Sequence, residues 1–199
     1  MSVALPTFPA PTEPTTPRYV EWGGTLRPVF GGAVQKLLRL GDRFAIDVTM
    51  PPMEIAIGML WVSRLIAAQR EGALLKWPTP GFNPGDPGNP MVNGAGQSGS
   101  QILLRGFKPG YAVREGLSFF SIIHGGRRYL HQALADRVAD ASGVVLLPIA
   151  PMLRIQPANG AVCEFATPMI EGFPEKSGQE WSPTLAAHVG LAFSIMENR

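Results

Sequence analysis

Residues 41–50, GDRFAIDVTM, alternate without a break. Phe44, Ile46, Val48 and Met50 face one way, and Arg43, Ala45, Asp47 and Thr49 the other. A period of two marks a strand with one buried face. Gly41-Asp42 ahead of it is hairpin-turn chemistry and predicts a partner strand over about 33–40. The same period returns at the far end of the chain, where Val189, Leu191, Phe193 and Ile195 alternate with Gly190, Ala192, Ser194 and Met196. A terminal strand needs a sheet to join, so residues 43–50 and 189–196 are expected in one sheet.

After the first strand, Pro51-Pro52 suits the opening turn of a helix over 53–71. Ile55, Met59, Val62 and Ile66 recur at helical spacing, Leu60, Trp61 and Leu65 widen the stripe, and Gly72 closes it. This stripe is expected to be buried against the sheet. Residues 73–77 read as a short strand and 78–100 as turn-rich loop. Short strands then follow at 101–107, 117–123, 128–134, 144–149 and 161–165, broken by turn signals, as in a small barrel or sandwich.

The fold class is therefore mainly β. An antiparallel β-sandwich with one amphipathic helix is expected from residues 19–95 and 159–199. A small β-barrel or sandwich module is expected as an insertion at 96–158. Residues 1–18, with prolines at 6, 9, 11, 14 and 17, read as an extended arm. It is either a disordered leader or a strap along a neighbouring subunit.

Composition narrows the function classes. Of 199 residues 45% are hydrophobic, which excludes low-hydrophobicity disorder. Only 16% are charged, against about 25% in ordinary soluble domains, and 23 glycines and 20 prolines enrich it in turns. Such a surface is expected to be covered by partners. The net charge of +2 argues against a dedicated nucleic-acid binder. Cys163 is the only cysteine, so no internal disulfide is expected. The segment MSVALPTFPAP has no basic start and no apolar core of a signal peptide, and the run 55–62 is too short to span a bilayer. No membrane insertion is expected.

The motifs that suggest chemistry each lack their context. Gly94-Ala-Gly96-Gln-Ser-Gly99 matches G-x-G-x-x-G, but a strand rather than a helix is expected after it, so no dinucleotide cofactor is assigned. Ser98 falls one residue short of a G-x-S-x-G elbow and lacks the same helix. His124, His131 and His188 share no metal-ligand spacing and Cys163 has no second thiol near it, so no metal is expected. Asp136 and Asp140 flank a turn, and Asp140-Ala-Ser-Gly143 is type I turn chemistry. Residues 101–165 carry seven basic and four acidic side chains, Arg127 and Arg128 among them. That patch suits DNA in a pore, an acidic neighbouring subunit or water; a subunit contact is favoured. A sugar site would use exposed aromatics, for which Phe107, Tyr111, Phe119, Phe120 and Tyr129 are the candidates.

The order of segments resembles a known family. It runs from Gly-Asp-Arg-Phe44 through Met50-Pro-Pro-Met53 and the helix to Gly94–Gly99, Leu104-Arg-Gly-Phe107 and Val113–Phe119. Then come Ala139–Gly143, Ala150-Pro-Met-Leu-Arg154, Phe165-Ala-Thr-Pro168 and Phe193–Glu197. Over residues 19–199 this is similar to the distal tail proteins of long-tailed bacteriophages. The resemblance implies a non-enzymatic virion protein at the tail tip, made in the host cytoplasm. Such proteins form a ring, commonly a hexamer, joining the tail-tube protein to tail-tip hub and fibre proteins, with DNA passing through the lumen. It also implies a β-sandwich carrying one helix, with an inserted β domain. Neither the Pro-rich leader nor the Arg127-Arg128 hairpin belongs to that pattern. A receptor- or carbohydrate-binding tail module is the alternative. Strands at 34–40 and 43–50 are expected to line the lumen or pair across subunits. Val34, Lys36, Arg43, Asp47, Arg127 and Arg128 are the candidate subunit contacts.

Overall fold

The computed structural model describes residues 2–37, 39–175, 181–183 and 188–198. Strands β1 (Val3–Ala4), β2 (Thr12–Val20), β3 (Gly24–Leu26), β4 (Gln35–Leu37), β5 (Arg43–Thr49) and β6 (Met53–Glu54) precede helix α1 (Ile55–Glu71), and β7 (Ala73–Lys76) follows it. A second set comprises β8 (Gly88–Val92), β9 (Gly99–Phe107), β10 (Ala112–Val113), β11 (Phe119–His124), β12 (Arg127–Ala133), β13 (Arg137–Val138), β14 (Val145–Leu153) and β15 (Cys163–Glu164). The chain then returns through β16 (Met169–Pro174), β17 (Trp181–Pro183) and β18 (His188–Glu197). The protein is mainly β with one helix.

The first sheet has the order β1-β7-β16-β18-β5-β2, with β6 and β17 joined to the first half of β18. The two alternating strands are direct neighbours: Phe193 pairs with Val48 and Ile195 with Ile46. The expected hairpin into β5 is corrected. β4 pairs with β3, and β5 lies between β18 and β2. Asp42 explains the difference, because its carboxylate accepts the Trp22 N–H at 2.7 Å and the Tyr19 hydroxyl at 3.1 Å. Gly41 sits so close to Trp22 that an added Cβ would lie 2.8 Å from the tryptophan Cβ. The chain therefore turns out of the sheet, and β3 and β4 form a separate ribbon. With both neighbours filled, β5 has no edge to offer another subunit.

The Pro-rich leader lies on its own chain. β1 runs parallel to β7 at one edge of the sheet, and β2 pairs with β5 at the other. Between them the leader passes the helix, where the Trp61 indole N–H donates to the Phe8 carbonyl at 3.2 Å. Arg18 on β2 donates to Asp47 at 2.8 Å and also pairs with Glu175.

Helix α1 buries Gly58, Trp61, Val62, Leu65 and Ala68. Of the expected stripe, Val62, Trp61 and Leu65 are buried, and the rest is corrected: Ile55, Met59, Leu60 and Ile66 are 44–51% exposed. Gly58 sets the face. A Cβ there would lie 2.7 Å from the Val189 Cβ, so glycine lets the helix axis press onto β18.

The second sheet, order β15-β11-β12-β14-β9-β8, curls until a Met91–Val162 bridge brings its edges together. It starts at β8 and ends at β15, wider than the expected 96–158. Phe120 stacks on Phe165 in its core, with centroids 4.4 Å apart. A short β10–β13 ladder lies beside it.

Carboxylates join the two units. β12 pairs with β14 only at Gln132 and Ala133, leaving the edge around Arg128 and Leu130 without a strand partner. The Arg128 N–H donates instead to Glu171 of β16 at 2.9 Å, and the Leu130 N–H to Glu197 of β18 at 2.7 Å. Glu197 is fully enclosed, accepts the Phe44 N–H at 3.3 Å and pairs with Arg154. Leu130 and Phe119 enter the first core, where Phe119 lies 5.4 Å from Trp77.

Two stability predictions follow from this packing. Leu65→Ala is expected to cost about 2–5 kcal/mol, whereas Ile66→Asp costs the isolated fold less than about 0.5 kcal/mol, both measured by urea titration. Glu197→Gln strands Arg154 in the interior and is expected to cost about 3–5 kcal/mol; replacing both residues by methionine costs less than either single change. Additive losses in that cycle would show that the pair does not act as a unit.

Candidate assembly surfaces

The β3–β4 ribbon and its tip carry apolar side chains that the described residues leave exposed. Leu26, Val34, Leu37 and Leu40 are exposed, and at the tip Val29 is 92% and Phe30 100% exposed. A two-stranded ribbon is marginal by itself in water. Its base is held firmly: Asp42 binds Trp22 and Tyr19, and the Arg43 guanidinium lies over the Trp22 ring at 5.0 Å.

Helix α1 presents the second surface. Ile55, Ala56, Met59, Leu60 and Ile66 face outward, and Ser63 is the polar residue among them. Its charged residues, Arg64, Arg70 and Glu71, all lie in its second half. Phe8, beside the helix, is also exposed. A helix apolar on the outside as well as the inside belongs in an interior rather than on a solvated face.

The six residues singled out from sequence divide between surface and interior. Val34 and Lys36 lie on the ribbon, with Lys36 paired to Glu21 at 2.7 Å. Arg127 is exposed at the β11–β12 turn. Arg128 is held bidentate by Glu164, at 2.9 and 3.1 Å. Asp47 is engaged by Arg18 and Ser194. Arg43 is corrected as a contact residue: it is buried, and donates to the Gly41 and Glu197 carbonyls. Sequence reasoning missed the ribbon tip and the outer helix face. The signal for the tip was Val29-Phe30 set between Pro28 and Gly31-Gly32, a large apolar pair placed in a turn.

The chemical candidates are placed as follows. Ser98 is exposed on the β8–β9 connection, and strand β9 follows it. The Gln97 side chain braces that loop by accepting the Leu103 N–H at 2.6 Å and donating to the Leu103 carbonyl at 3.0 Å. Asp140 caps its turn through the Ser142 and Val144 N–H groups, and these bonds hold its carboxyl below the usual range. Cys163 is buried, which pushes its thiol up to about 12. His124 accepts the Ala158 N–H at 3.2 Å. Among the described residues no group of His, Cys, Asp and Glu is arranged to hold a metal. No family model matches this chain, and no curated protein matches it. Of the five aromatics proposed for sugar stacking, Phe107, Phe120 and Tyr129 are buried, and Tyr111 and Phe119 are half-buried against the cores. A shallow groove of about 300 Å³ opens where β8 and β15 diverge, lined by Asn89, Pro90, Glu164 and Phe165 among others.

His131 is completely enclosed, with Nδ1 2.9 Å from the Pro151 carbonyl. Burial, with the Arg154 cation nearby, pushes its pKa down to about 3. The unfolded chain holds this proton from about pH 6.5 downward, so the native state loses stability as pH falls from there toward 3. Between pH 7 and 5 this group is expected to remove about 2 kcal/mol, a dependence absent from His131→Gln in denaturant titrations at the two pH values.

Proposed function

We propose that this chain is a structural subunit, not an enzyme, that assembles with copies of itself into a closed ring at the distal end of a bacteriophage tail. In this reading the ring, six-fold by the resemblance described above, joins the tail tube to the tail-tip hub and fibres and surrounds the path of the DNA. One observation supports the self-assembly: two separate elements, the ribbon and the helix, expose large apolar side chains that the described residues leave uncovered. Monomeric proteins seldom expose such patches, which mark interaction sites. Two unlike patches suit the head-to-tail contacts that a cyclic ring repeats until it closes. The mainly β fold with one helix is the architecture the resemblance implies.

Light scattering coupled to size exclusion tests the reading. Purified protein is expected at a mass near six times the 21.4 kDa protomer at micromolar concentration. A species that stays at one protomer mass up to high micromolar concentration overturns it.

A further inference from the structure

We propose that strand β1 is a latch on the joint between the two units: docked on β7, it lets Ser2 hold the Glu171 carboxylate for the second unit, and lifted off, it loosens that half of the joint. The inference does not depend on the ring reading above.

The two carboxylates of the joint are held in different ways. Glu197 is braced by its neighbours, pairing with Arg154 and accepting the Phe44 N–H as well as that of Leu130. Glu171 is only 5% exposed, and among the described residues two groups donate to its carboxylate. One oxygen accepts the Arg128 N–H of the second unit at 2.9 Å, and the other accepts the Ser2 hydroxyl at 2.5 Å. The Arg128 guanidinium itself is turned to Glu164, at 2.9 and 3.1 Å. A buried carboxylate that loses one of two donors keeps its desolvation cost and is less firmly aimed at the other.

The register of β1 brings Ser2 to this place. Helix α1 ends at Gly72, whose φ of 90° suits glycine, and a Cβ there would lie 3.2 Å from the Ser2 Oγ. Val3 and Leu5 donate to the Gly72 and Leu74 carbonyls at 2.8 and 3.0 Å, and the Leu5 side chain is buried in the first core. Leu74 pairs with Glu171 on the next strand, so the same register that seats Leu5 sets Ser2 against the carboxylate. β1 is two residues long and lies at the edge of the sheet, with β7 as its partner. Such an edge opens locally at far lower cost than the whole fold. Strand and joint are thereby coupled, and a coupling of this kind acts in both directions.

Native-state hydrogen exchange on the full chain tests this, amide by amide at one pH. Ser2→Ala is expected to lower the protection of the Arg128 N–H about tenfold, the weight of one hydrogen bond to a charged acceptor, and to leave the Leu130 N–H on Glu197 unchanged. Leu5→Asp removes the apolar anchor of the strand and is expected to act in the same way, with the double variant no worse than Leu5→Asp alone. Glu171→Ala probes the reverse direction and is expected to lower the protection of the Val3 N–H on β7. Far-ultraviolet dichroism shows whether each variant is folded; should Leu5→Asp unfold, Ser2→Ala and Glu171→Ala decide the matter. Unchanged Arg128 protection in Ser2→Ala overturns the latch, and so does an equal fall at Leu130, which would mark a general loss of stability. Additive losses in the double variant, or an unmoved Val3 amide in Glu171→Ala, overturn it as well.

Discussion

Two carboxylates do the work of a missing strand. Along β12 the N–H groups of Arg128 and Leu130, two residues apart, point away from β11 with no partner strand to receive them, and Glu171 and Glu197 reach across from the first sheet to accept them. Buried backbone donors left unpaired would each cost about 1–3 kcal/mol, so the second unit is seated on the first only where these oxygens meet it. Glu197 serves both units at once, accepting from Leu130 on one and Phe44 on the other. Its desolvated charge is tolerated because Arg154 is enclosed beside it, with Tyr129 stacked under the guanidinium at 5.4 Å. A neutral acceptor could satisfy the N–H groups but would leave Arg154 without its counter-charge. The arrangement is an all-or-none joint, and it fixes the angle between the sheets.

Much of the architecture was legible because period-two patterns survive in isolation. β5 and β18 announce themselves by alternation, and their adjacency follows from the need of each for a neighbour. The existence of α1 was equally plain. Its buried face was not, because apolar residues occupy nearly its whole circumference and a stripe can then be drawn in several directions. Close approach chose Gly58 and Ala68, small residues that hydrophobicity ranks below Ile55 and Ile66. Asp42 misled for a related reason: beside Gly41 it looks like a turn residue, and its two contacts to Trp22 and Tyr19 exist only in three dimensions. The joint was illegible altogether, since Glu197 meets partners 43, 67 and 153 residues away.

The leader shows how proline content can be read two ways. Five prolines suggest a free arm, yet the same fixed dihedrals suit an edge strand, whose outer side has no ladder to complete. Placing β1 and β2 at opposite edges of one sheet closes both against stray pairing. The cost is that one short segment must span the sheet, and its passage over Trp61 ties it to the helix on the way.

Closing the sheet edges directs where further association can occur. The edges of the first sheet are the short β1 and the Pro-bearing β2, poor templates for another strand, so in the proposed ring contact between copies falls to side chains, and exposed apolar ones are concentrated on the ribbon and on α1. β5 separates these as a rigid spacer held on both sides by hydrogen-bonded neighbours, with half-buried Asp47 tied to Arg18 and Ser194. In the ring proposed above, a rigid spacer between two unlike surfaces would set a constant displacement and rotation from each copy to the next. Repeating one fixed rotation either closes or spirals, and the choice depends on the angle at which the ribbon leaves β5. That angle is set by Asp42, which accepts from Trp22 and Tyr19, and by the stacking of Arg43 on Trp22, three polar contacts at the ribbon's root.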